Sequence, residues 1–293
     1  LFPQQFSIYL TGEVNKKEIR NYTFPLFLTV FLNIFINRTD IFMLSYYLSS
    51  DQVGIYAIAY RLSFLVFFIH TSFVGIFSPM IARLYGQNKI EEIRKLLIII
   101  ARWILTLSLP IFLILVFFVD PILDLFGKDF GDGKMSMYIL CLSMLFSSVI
   151  SLSGHVITMT GRSKIALVNS LIAALLNIIL NLWLIPKYGM TGAAIATAAS
   201  ITATNIARYI ELLYLEKMQM LSINILKPLI AGIGSIYFIL IISKYFYMYN
   251  SILVVFALMI LFFIFYSISL YLLKFGKEDY LLITTVKAQI FNS

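Results

Sequence analysis

Long apolar runs separated by short polar stretches dominate the chain. Hydropathy along the sequence predicts eight spans, at residues 24–48, 53–81, 97–119, 136–159, 165–186, 190–215, 226–243 and 251–273. Each comes close to or exceeds the roughly 20 residues that cross a hydrocarbon core at about 1.5 Å per residue. The first span departs from the pattern, because Asn33, Asn37, Arg38 and Asp40 lie near its middle. An ionisable side chain at that depth costs at least about 2.5–3.5 kcal/mol on insertion scales, and it persists mainly where it faces protein or a water-filled space. Asn33, Asn37 and Asp40 fall at i, i+4 and i+7, on one stripe of a helix. That face is predicted to line something wet. Arg38 projects about 160° away from Asp40, so the two do not pair within one helix. The turn Ser49 to Gln52 returns the chain at once into the second span, whose Tyr56, Tyr60, Arg61 and His70 are candidate partners.

Two later spans carry a packing signature. Gly192, Ala196, Ser200 and Thr204 recur every fourth residue, a small-residue stripe that lets a neighbouring helix approach closely. The neighbour expected from the short turn Pro186 to Met190 is the preceding span, where Asn177 and Asn181 are one turn apart and able to hydrogen-bond across the interface. The stretch Leu84 to Leu97 sets Ile90, Ile93 and Leu97 opposite Glu91, Arg94 and Lys95, which suits either a helix lying in the interface or the solvated extension of a span. Asp120 to Met135 interleaves four aspartates with apolar residues, but the spacing matches no EF-hand loop, and no metal site is expected.

Composition agrees with the pattern. Hydrophobic residues make up 61% of the chain, charged residues 12%, and mean hydropathy is +0.94, far from the balance of a soluble domain. The chain is therefore expected to be an all-α integral membrane protein. One cysteine, Cys141, excludes an intrachain disulfide. The net charge of +8 does not indicate a nucleic-acid partner, because the basic residues are spread over short loops. With the amino terminus in the cytoplasm, fifteen basic residues fall on that side and four on the other, which places both termini in the cytoplasm. The fifteen include Arg208, assigned to an inner loop; Arg38, Arg61 and Arg102 lie inside spans. Two histidines, His70 and His155, and the absence of Gly-rich phosphate loops argue against metal clusters, triads, ATP-driven modules and dinucleotide cofactors. No catalytic role and no cofactor is expected. Arg38 suits a substrate cavity or a structural ion pair, Arg61 either role equally, and Asp40 and His70 are the embedded groups able to handle a proton or cation. The chain starts at Leu1 without a signal peptide and is expected to be part of a longer protein.

The runs DIFMLSYYLSSDQVGIYAIAYRL (Asp40 to Leu62), SPMIARLYGQNKIEEIRKLL (Ser78 to Leu97), DLFGKDF (Asp124 to Phe130) and LNLWLIPKYGMTGAAIATAAS (Leu180 to Ser200) resemble the polysaccharide transporter family, in the superfamily that also holds multidrug and toxin extruders and lipid II flippases. The resemblance implies two six-helix lobes around a cavity that opens alternately to either side. This chain would then supply a cytoplasmic segment (1–21), the second lobe (22–220), two appended helices (221–275) and a cytoplasmic tail (276–293). It implies alternating-access export of polyprenyl-diphosphate oligosaccharides across the bacterial plasma membrane for surface polysaccharide biosynthesis, O-antigen units among them. The partners implied are the lipid-linked substrate, membrane lipids, a coupling proton or sodium ion, and glycan polymerase machinery. Arg38, Asn33, Asn37, Arg61 and Tyr60 are the cavity candidates, and Gly192, Ala196 and Ser200 the packing stripe. Other readings are a multidrug extruder or lipid II flippase of the same superfamily, or an accessory membrane subunit. Three embedded arginines against one aspartate favour an anionic substrate over a cationic drug.

Overall fold

The computed structural model describes residues 16–246 and 252–273, and among them nearly all of the chain is helical. The predicted amino-terminal segment lies largely outside the described residues, and the carboxyl-terminal tail entirely so. Nine α-helices follow one another among the described residues: α1 (Lys16–Tyr47), α2 (Ser50–Gly86), α3 (Ile90–Phe117), α4 (Val119–Asp124), α5 (Lys134–Ile150), α6 (Leu152–Met159), α7 (Ser163–Glu211), α8 (Leu226–Phe246) and α9 (Ile252–Leu272). Successive long helices reverse direction, so the bundle has two ends. The starts of α1, α3 and α7 share one end with the last residues of α2, α6 and α7. We name it the inner end, because it carries most of the basic loop residues.

Seven stretches are long and apolar enough to cross a membrane, with α5 and α6 together making one. The eight predicted crossings are reconciled by α7, which is two helices. At Gly189 the backbone takes φ 55° and ψ −131°, a conformation open to glycine, and the chain doubles back into arms 163–188 and 190–211. The arms meet so closely at the outer end that a Cβ on Gly192 would lie 2.2 Å from the carbonyl oxygen of Leu184. Gly192 and Ala196 of the predicted stripe are buried against this neighbour, and Ser200 is buried as well.

The helices pack around a main core near the inner end, where Ile81 and Leu84 of α2 meet Ile93, Leu97, Ile100 and Ile104 of α3. Leu212, Met218 and Met220 seal it from the link that follows α7. The stretch 84–97 resolves as the extension of a span: Asn88, with φ 56°, breaks the chain, and α3 begins at Ile90 with Ile93 and Leu97 already fully buried. The loop from Asp120 forms α4 and a 3-10 turn, and Lys134 closes it with an ion pair to Asp120 at 2.7 Å. Helices α8 and α9 pack on α3, where the Tyr266 hydroxyl donates to the Thr106 carbonyl at 2.9 Å. Helix α1 lies mainly along α7 and meets α2 more sparingly. Phe24, Phe27, Phe31, Phe35 and Phe42 of α1 are exposed.

Candidate functional site

Two polar constellations occupy this apolar bundle. The first surrounds Asp40, which is 3% exposed. Its carboxylate accepts hydrogen bonds from the Tyr56 hydroxyl at 3.0 Å, Asn181 Nδ2 at 2.8 Å, Asn177 Nδ2 at 3.3 Å and the Thr197 hydroxyl. Asn181 also donates to Asn177 Oδ1 at 3.1 Å, and Asn177 to Thr197 Oγ1 at 3.2 Å. Three helices thus converge on one acid: α1 supplies it, α2 gives Tyr56, and both arms of α7 give the rest. Leu44, Leu140, Ile185, Ala193 and Ala194 wall the group off from solvent. The partners in this geometry are all neutral: four donors meet the carboxylate, and no arginine is among them. Asn181 Oδ1 is buried with no hydrogen-bond partner among the described residues.

The second constellation is a cavity of about 460 Å³ toward the inner end, bounded by α1, α2, α5, α6 and α7. Asn33 and Tyr60, both expected there, line it. Asn37 lies on α1, but its side chain is outside what the structure describes. Arg38 and Arg61 are exposed and form no part of this wall. The reason is rotational: α1 turns Thr29, Asn33 and Ile36 toward the cavity and Asp40 into the cage, which leaves Arg38 on the opposite side. The cation in the wall is Arg208. The charge count assigns it to an inner loop, although it lies within the predicted span 190–215, and α7, which runs to Glu211, holds it beside the cavity. Its side chain lies across Gly154, where a Cβ would come within 2.9 Å of Arg208 Cδ, and Nη2 donates to Ser170 Oγ at 3.4 Å. Ser147, Ser151, Asn169, Thr204 and Asn205 continue the polar lining, with Phe64 and Phe67 on the side of α2.

His70 is buried rather than cavity-lining. Its Nδ1 donates to the Ser148 carbonyl at 2.7 Å, the Ser151 hydroxyl sits 3.1 Å from Nε2, and the ring stacks on Phe67 with centroids 4.7 Å apart. His155, whose ring is 5.3 Å from that of His70, is the histidine that reaches the cavity. Tyr22 donates to the Thr158 carbonyl at 2.8 Å and ties the start of α1 to α6 at the cavity's inner end. No group of three or more histidines, cysteines and carboxylates able to hold a metal occurs among the described residues.

Residues 25–183, more than half of the chain, match MatE. The chain belongs to the MatE family. It is similar to the probable low-salt glycan biosynthesis flippase Agl15 of Haloferax volcanii, 23% identical over 193 residues that cover 66% of this chain and 41% of that protein. It is also similar to the probable flippase AglR of the same organism, 30% identical over 174 residues that cover 57% of this chain and 36% of the relative. Among solved structures, the lipid II flippase MurJ in an inward closed conformation superimposes with a TM-score of 0.63 at 21% identity, covering 84% of this chain and 52% of MurJ. The all-α membrane fold expected from the sequence is therefore the fold of this family. The chain spans about two fifths of the length of the curated relatives it matches. Those relatives' names are those of flippases rather than catalysts.

Proposed function

We propose that this chain is the second lobe, with an appended helix pair, of a flippase that carries lipid-linked oligosaccharides across the plasma membrane. The observation that carries the reading is Arg208, a permanent cation facing a cavity otherwise lined by amides, hydroxyls and aromatic rings. A polyprenyl-diphosphate glycan has the complementary parts: an anionic diphosphate for a guanidinium fork and sugar hydroxyls for Asn33, Asn169 and Asn205. Tyr60, Phe64 and Phe67 offer ring faces for sugars on the other wall. The lipid tail stays in the bilayer while the head group crosses, so the work is binding and reorientation, with no covalent step. Arg38 and Arg61, exposed on the α1 and α2 side of the lobe, are suited to meet the same anion in the space that the remainder of the protein would enclose. The basic asymmetry of the loops supports an inner end in the cytoplasm, where lipid-linked precursors would be received.

The Asp40 cage is suited to the coupling ion. It offers one negative charge away from solvent, held by hydrogen bonds from Tyr56, Asn177, Asn181 and Thr197, and the carboxylate takes a proton, or a cation once the two amides turn their oxygens toward it. Because α1 and both arms of α7 meet there, loading or emptying the cage would shift α1 against α7, two walls of the cavity. Arg208→Ala in the full-length protein is expected to abolish glycan export with membrane insertion and protein level preserved, and Arg208→Lys to restore it only in part. Normal export by a well-folded Arg208→Ala protein overturns the reading.

A further inference from the structure

The two arms of α7 bound the cavity on one side and a second space on the other. Against the bilayer, near the inner end, lies an open groove of about 440 Å³. Lys164 and Val168 from the first arm, Ile210 and Glu211 from the second, and Tyr214 from the π-helical turn Leu212–Glu216 that follows it form it. Its surface is apolar and accessible: Val168 is 53% exposed, Ile210 45% and Tyr214 79%. Groove and cavity stand back to back. Asn169 belongs to the cavity wall and Glu211 to the groove wall, and Asn169 Nδ2 donates to Glu211 Oε2 at 2.6 Å. Next to this bridge, Arg208 reaches over from the second arm to Ser170 of the first at 3.4 Å. Along the arms, contact changes in kind. At Gly192 and Leu184 backbone meets backbone, at Asn177 and Thr197 short side chains meet, and at the inner end the described contacts are Asn169 with Glu211 and Ser170 with Arg208.

The geometry points to a lateral door between the arms of α7, with the Asn169–Glu211 bridge as its latch and the hydrocarbon tail of the lipid-linked substrate as the occupant of the groove. This rests on the flippase reading above. A substrate with one apolar and one anionic part needs a path on which the tail never leaves hydrocarbon while the head group enters a polar space. The groove supplies the apolar face, Lys164 at its rim supplies a cation for a phosphate, and Arg208 lies directly behind the latch. Parting the bridge exposes Arg208 to the groove and frees two neutral or anionic partners that water can satisfy. Such a motion is confined to the inner ends of the arms, because the Asp40 cage and the Gly192–Leu184 contact hold them together farther out.

The test is site-specific photo-crosslinking in the full-length protein in membranes that make a glycan-radiolabelled lipid-linked substrate, so that ordinary phospholipid is not counted. A photoreactive residue is placed at Val168 or Ile210 in the groove, at Ile201 in the cavity wall, or at Ile230 of α8, a bilayer-facing control. The expected result is labelling at Val168, Ile210 and Ile201, each several-fold above Ile230. Labelling at Ile201 with Val168 and Ile210 no higher than Ile230 overturns the door and leaves the flippase reading standing. Background at Ile201 overturns the flippase reading, and with it the door.

Discussion

The closeness of the α7 arms makes Gly192→Ala a severe change for the addition of one methyl group. The new Cβ would lie 2.2 Å from the Leu184 carbonyl oxygen, 2.5 Å from its carbon and 3.0 Å from the Ile185 nitrogen. All three are backbone atoms, so no side-chain rotation relieves the clash. Ordinary contact begins at 3.4 Å, and the arms must part by about 1.2 Å at this point. Overpacking of this kind costs about 1–3 kcal/mol and sometimes more. A parting of that size also stretches the 3.2 Å bond between Asn177 and Thr197 past hydrogen-bond range, adding about 1 kcal/mol. Replacing a helical glycine by alanine returns at most about 1 kcal/mol, so the clash wins and the net loss is about 1–3 kcal/mol. For a chain of this size that lowers the melting temperature by roughly 2–10 °C. Thermal denaturation of the detergent-solubilised protein, followed by size-exclusion fluorescence, measures it. Gly54→Ala is the matched control, since its Cβ would meet nothing within 4 Å and should leave the protein as stable or slightly more so. Equal melting temperatures for the two variants would refute the tight hairpin.

Asp40→Ala is expected to leave the Tyr56, Asn177, Asn181 and Thr197 donors facing a void, at about 1–3 kcal/mol for each one unsatisfied, and to deplete folded protein on a membrane immunoblot. Asp40→Asn, which keeps the shape but not the charge, should fold and lose the dependence of glycan export on sodium or protons; retention of that dependence by Asp40→Asn would remove the cage from the coupling mechanism. Cysteines at Ser50 and Gly131 should react with an impermeant thiol reagent applied to intact cells, and one at Asn88 should not; the opposite labelling reverses the orientation.

Much of this architecture was legible along the chain. Charge inside an apolar run marked Asp40 as interior, and Tyr56 was among its candidate partners because one short turn joins the two helices. The small-residue stripe with the facing asparagines foretold the α7 hairpin. What was not legible is that Asn177 and Asn181 reach Asp40, a pairing across 137 and 141 positions that depends on α1 lying along α7 rather than on any local pattern. Arg208 was missed for a different reason. The span predicted over 190–215 contains it, but a cation near the end of an apolar run is counted with the inner loop, and only the packing of its side chain across Gly154 turns it to the cavity. Arg38 was the converse, a central cation that proves to face away from the lobe's own cavity. His155, two positions beyond Ser153 in a short helix, carried no periodic signal that set it apart.

The single-residue reversal at Gly189 also makes counting matter in this protein. Most helix pairs are joined by several residues, and an insertion there is absorbed as slack. Here there is none. One residue added at the turn would rotate the second arm by about 100° and advance it by about 1.5 Å relative to the first. Thr197 would leave the carboxylate and Arg208 the cavity in the same stroke, although neither residue had been altered. Chain length between residues 181 and 197 is thus as strictly constrained as the identity of the side chains it aligns, and a gap or insertion there is a sharper mark of lost function than most substitutions.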